Sequence, residues 1–102
     1  MSVLEIARFT AAPGNGDKLE QAVKVAANQL VDDPNTLMIE IYRAIEAPEQ
    51  FTWLIWWTSI QAHINWRASD KMEKFLAICR PLLSAEIADG LVHHNLVVNT
   101  KG

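Results

Sequence analysis

The sequence predicts an α+β fold of four antiparallel strands with helices on one face. Two observations carry this. Segments of period two and period 3.6 follow one another in the order β-α-β-β-α-β. One strand, residues 50–58, is apolar on both faces, so the sheet has to be covered twice.

Residues 3–9 alternate. Val3, Glu5, Ala7 and Phe9 face one way, and Leu4, Ile6 and Arg8 the other, which is strand period. Ala12-Pro13-Gly14-Asn15-Gly16 is a turn, and Asn15 or Asp17 is placed to cap a helix. That helix carries Leu19, Val23, Ala26, Ala27 and Leu30 as one apolar stripe, with Lys18, Gln21, Lys24 and Asn28 on the wet side. Asp33-Pro34-Asn35 stops it, because proline disfavours helical geometry in the residue before it.

Residues 36–44 read as a second strand, with Leu37, Ile39 and Ile41 on one face and Met38, Glu40 and Tyr42 on the other. In the third strand Phe51, Trp53, Ile55 and Trp57 oppose Leu54 and Trp56. Two helices cover one side of such a sheet. The cheapest cover for the other is a second copy of the same sheet, so a homodimer through the sheet faces is expected. Ser59 then caps a helix through Ala62, His63, Trp66 and Arg67, with a break and restart at Ser69-Asp70. Met72, Phe75, Leu76 and Cys79 follow at helical spacing to Pro81, and residues 91–98 form the last strand. The order is that of a ferredoxin-like fold in a single domain, 1–102.

The chain has 102 residues, half of them hydrophobic and four of them tryptophan, with nine basic against twelve acidic side chains and a net charge of −3. A domain of this size buries only about 60–65% of its unfolded surface, so this much apolar surface points to a pocket or a partner. No basic stripe is present to neutralise phosphates, which argues against nucleic acid. No signal peptide and no apolar run of spanning length is expected, so the membrane is not a partner and the cytoplasm is the expected location. The lone Cys79 forms no internal disulfide and no zinc cluster, and it reads as a small buried hydrophobe.

Several residues in register resemble the antibiotic biosynthesis monooxygenase family of dimeric α/β barrels. These are Ala12-Pro13-Gly14, Ile39-Glu40-Ile41, Phe51 through Trp57-Thr58-Ser59, then Ala62, His63 and Trp66, then Phe75-Leu76 and Leu82-Leu83. The resemblance implies a homodimer whose sheets face each other and a small pocket in each subunit between sheet and helices. It also implies that Trp66, with Trp57, Trp53, Phe75 and Met72, lines that pocket around a small-molecule ligand. Some relatives oxidise aromatic substrates with molecular oxygen and no cofactor, and that activity on a small aromatic or quinol-type substrate is the expected one here. A dimeric ligand-binding or stress-related module without catalysis is the alternative, and an isomerase of a small carbonyl compound a third. Quinone-forming relatives carry an Asn one turn before the helix Trp and a Tyr after it, where Ala62 and Met72 stand here. Haem-degrading relatives use an Asn and a His where Ala7 and Leu76 stand, which argues against haem.

Polar chemistry is expected from His63, Arg67 and His94. His63 and Arg67 lie one turn apart, so a base and an oxyanion partner share a helix face. His93 and His94 are strand neighbours and point to opposite faces, so they do not share a metal, and neither a metal nor a cofactor is expected. Glu5, Arg8 and Glu40 are strand charges, expected to pair at the dimer interface, where Tyr42 packs with its hydroxyl wet.

Overall fold

The computed structural model describes residues 1–85 and 92–100. Its elements are β1 (Val3–Thr10), α1 (Gly16–Ala26), α2 (Asn28–Val31), β2 (Thr36–Arg43), β3 (Gln50–Trp57), α3 (Ile60–Arg67), α4 (Asp70–Cys79) and β4 (His93–His94), with a 3-10 turn at Arg80–Leu82. The strands form one antiparallel sheet in the order β2-β3-β1-β4.

Register sorts the side chains of this sheet into two faces. Val3, Ala7 and Phe9 of β1 pair with Trp57, Trp53 and Phe51 of β3, and all six are buried. Leu19, Val23, Ala26 and Leu30 press onto this face from α1 and α2, and Ala62, Trp66, Phe75 and Cys79 from α3 and α4. Each large side chain buried there contributes about 1.5–3 kcal/mol. The opposite face carries Met38, Trp56 and Leu4 across one row and Glu40, Leu54 and Ile6 across the next. No element among the described residues packs over it, and Trp56, Leu54, Leu4 and Ile6 stay half-buried. The doubly apolar third strand thus has one face under helices and one face open.

Local chemistry sets the helix ends. Ser59 is extended, and its Oγ accepts the Ala62 N–H at 3.1 Å, as its cap role requires. Ser69 Oγ donates to the Trp66 carbonyl, which turns the chain between α3 and α4. Arg43 ties the far end of the sheet to α1. Its guanidinium reaches Asp17 at 2.9 Å, Glu20 at 3.1 Å and the Pro48 carbonyl at 2.6 Å. Gly16 lies under it, where a Cβ would stand 2.5 Å from Arg43 Nη2 and 2.8 Å from the Pro48 oxygen, so only glycine fits.

Five expectations need correction. Asn15 occupies the cap position of α1, but neither its side chain nor that of Asp17 caps the helix. The first helix breaks at Ala27, where the Leu30 N–H bonds the carbonyl three residues back rather than four. A register shift between Thr36 and Met38 removes Leu37 from the row of Ile39 and Ile41 and leaves it 57% exposed. The last strand is only His93–His94: residues 95–100 pair with nothing in the sheet, and Leu91 lies outside the described residues. Glu5 does not reach a sheet-to-sheet interface, because its parity with Val3 and Ala7 puts it under the helices, 8% exposed.

Candidate functional site

The buried Glu5 is where the sheet departs from an apolar core. It sits in β1 opposite Ile55 of β3 and His93 of β4. Its Oε1 accepts the Trp57 Nε1–H at 2.9 Å and lies 3.1 Å from His63 Nε2. His63 comes from α3, four residues after the Ser59 cap, and is 2% exposed. Its ring lies flat on the Trp57 indole, with centroids 4.9 Å apart and planes 14° apart. Its other nitrogen, Nδ1, is 2.8 Å from His93 Nε2, so one of those two nitrogens donates and the other accepts. Glu5, His63 and His93 therefore form a row from the core to the half-buried edge strand.

Burial dominates the electrostatics of the row. It pushes the Glu5 carboxyl up to about 7, against the Trp57 hydrogen bond and the Arg67 charge, which lower it. It pushes the His63 imidazole down to about 4, helped by His93 and Arg67. His93 is also lowered, first by burial and then by His94 and Arg67. Although Glu5 and His63 stand at ion-pair distance, both shift toward their neutral forms. The contact is therefore a hydrogen bond rather than a salt bridge. Because His63 spends both nitrogens within the row, the three groups cannot converge on one ion, and no metal-binding cluster occurs among the described residues.

The expected pocket residues form one aromatic cluster beside this row. Trp66 is 6.0 Å from Trp57 and edge-on to Phe75 at 5.9 Å, and Phe75 in turn is 4.9 Å from Trp53. Met72 packs at the margin, half-buried. Trp66 donates its indole N–H to the Gln29 carbonyl at 2.9 Å, which ties α3 to α2. The indole N–H of Trp53 is buried without an acceptor among the described residues. Arg67 is exposed one turn beyond His63, within electrostatic reach of all three members of the row.

The structure does not bring His94 to this group. It lies on the open face beside Leu4, its Nδ1 3.4 Å from the Leu4 carbonyl. Its neighbour His93 takes the inner place. The sequence reading sent Glu5 to the dimer interface and left His93 out of the candidate site. The signal for Glu5 was a lone carboxyl in an otherwise apolar strand row, whereas choosing between His93 and His94 needed the β1–β4 register.

A hollow on α4 and the following turn, lined by Glu73, Leu76, Ala77, Arg80 and Pro81, contains none of the expected site residues. No helix among the described residues is long and apolar enough to cross a membrane.

The sequence from residue 2 to 101 matches the family model for antibiotic biosynthesis monooxygenases. The chain belongs to that family. No curated protein matches the sequence significantly. Among solved structures, one from Bordetella bronchiseptica assigned to the same family superposes with a TM-score of 0.84 at 20% identity, covering 95% of this chain and 98% of that one. SnoaB, a cofactor-independent oxygenase from Streptomyces nogalater solved as a mutant, gives 0.82 at 16% identity over 99% and 98%. Rv0793 from Mycobacterium tuberculosis gives 0.75 at 16% over the whole of both chains. At these identities the likeness establishes the ferredoxin-like α+β fold of the family member described here.

Proposed function

We propose that this family member is a cofactor-independent monooxygenase of the cytoplasm, acting as a homodimer on a small aromatic, quinol-type substrate. The observation that carries the reading is a neutral imidazole, His63, held between a buried carboxyl and the face of Trp57 beside an aromatic cluster. Oxygenation without a cofactor needs an electron-rich substrate that loses a proton in a dry site. The resulting anion passes an electron to oxygen, the radical pair combines to a hydroperoxide, and loss of water leaves the oxidised carbon. One O2 is consumed, and one oxygen atom leaves as water. The row supplies the group that takes the proton. Arg67, exposed beside the row, supplies positive charge for the anion. The unpartnered Trp53 N–H supports a bound molecule with an acceptor oxygen, because a buried donor left unpaired costs about 1–3 kcal/mol. Trp66, Trp57, Phe75 and Met72 give the site its apolar shape. The open apolar face with Trp56, Leu54, Leu4 and Ile6 supports the dimer.

A ligand-binding module without turnover is the second reading, favoured by the close mutual packing of Phe9, Trp53 and Phe75. Oxygen uptake on a panel of anthrones and hydroquinones separates the two. Turnover with quinone formation is expected. Saturable binding of the same compounds with no oxygen consumed would overturn the oxygenase reading, and product formed without oxygen would identify an isomerase.

A further inference from the structure

The geometry points to His93 as the group that takes a proton from the bound molecule, with Glu5 as the place where that proton is stored and His63 as the link between them. The inference rests on the oxygenase reading for its substrate, and on the bond geometry of the row and the burial of Glu5 for its proton chemistry.

The row has two hydrogen-bond polarities. With Glu5 ionised, His63 Nε2–H donates to Oε1, and His63 Nδ1 accepts from His93 Nε2–H across 2.8 Å. His93 then presents a bare Nδ1, which bonds no described residue, from a half-buried edge position. A proton arriving at that Nδ1 makes His93 an imidazolium. Its Nε2 proton passes to His63 Nδ1, and the His63 Nε2 proton passes to Glu5. One proton has entered and one has reached the carboxyl, leaving His63 and His93 neutral in their opposite tautomers. No charge remains on either ring, so the buried site ends neutral apart from the substrate anion. Running the steps backwards returns the proton to the water that forms from O2.

Among the described residues, few groups face the row. Trp57 of β3 donates to Glu5, Arg67 of α3 disfavours charge on both rings, and His94 acts on His93 from the next position in β4. Burial places the carboxyl near neutrality, where a proton store is most useful to a reaction at ordinary pH. Of the two strand histidines, the sequence put His94 forward for polar chemistry. The register gives it to its neighbour.

The test reads the tautomer of His63 directly. In protein labelled with nitrogen-15 on histidine, the proton on His63 is expected to move from Nδ1 to Nε2 as pH rises through about 7. Glu5→Gln is expected to abolish that inversion and hold the proton on Nε2, because the amide oxygen in the place of Oε1 accepts from both Trp57 and His63. A His63 that keeps one tautomer from pH 5.5 to 8.5 in the unmodified protein overturns the proposal. On any substrate that turns over, His93→Gln is expected to lower kcat by about 10²–10⁴-fold with KM little changed and to recover in part with added imidazole. Unchanged kcat in that variant overturns the role of His93. Absence of turnover on the whole panel counts against the oxygenase reading instead, and the tautomer measurement still decides whether the row carries a proton.

Discussion

Replacing Glu5 with glutamine should make the protein more stable, and increasingly so as pH rises toward 7. The folded carboxyl titrates at about 7 against an ordinary 4.5, because burial disfavours its charge. The folded state therefore binds more protons than the unfolded chain between those values. Stability from this group is greatest below pH 4.5, falls as pH rises to about 7, and is level above. A shift of that size corresponds to about 3 kcal/mol, at about 1.4 kcal/mol per unit. Glutamine mimics the protonated form. Its oxygen, in the place of Oε1, accepts from both Trp57 Nε1 and His63 Nε2 without carrying a charge. His63 contributes an opposite slope, because its lowered value removes stability as pH falls from 6.5 to about 4. That slope is present in both proteins and drops out of the difference. Thermal unfolding at one protein concentration, at pH 5 and pH 8.5, is the assay. Glu5→Gln should exceed the parent's Tm by only a few degrees at pH 5, where the unfolded carboxyl has begun to ionise, and by on the order of 10 °C at pH 8.5. A variant that is less stable at pH 8.5, or offset equally at both pH values, would refute the view that Glu5 is ionised there at a cost.

Three further outcomes follow from the same geometry. Ser59→Ala should lose about 1 kcal/mol in urea unfolding, because the Ala62 N–H loses its cap. Trp56→Asp should keep the helical circular-dichroism signal but sediment at the mass of one subunit, and a variant still dimeric would remove the open face as the interface. Burial pushes the Cys79 thiol up to about 11, so iodoacetamide at pH 8 should label the native protein far more slowly than the urea-unfolded chain. Equal labelling rates would place Cys79 at the surface.

Alternation in β1 and β3 was enough to sort buried from open faces, because period two is a direct readout of sheet sidedness. The same holds for Ser59 and the Ser69 break, where short polar side chains bond nearby backbone. Reading failed where the outcome depended on pairing between distant segments. Leu37 leaves its row because of a register shift, a property of β2 against β3 that β2 alone does not encode. His93 and His94 differ only in which one falls opposite Glu5. The packing of the four aromatic side chains expected around a pocket was legible, since Trp53, Trp57, Trp66 and Phe75 share one connected cluster. The carboxyl that organises the row was visible in the strand but assigned to a partner interface, because charge on a strand is more often wet than buried.

The flat contact between His63 and Trp57 has a kinetic consequence. A histidine that conducts protons in one direction has to turn its ring over after each passage to restore its starting tautomer. Here the imidazole is sandwiched at 14° to the indole and is pinned at both nitrogens, so turning would break two bonds at once. The row is a dead end rather than a wire. It lends out one site, and the next cycle begins only after the same proton has gone back the way it came.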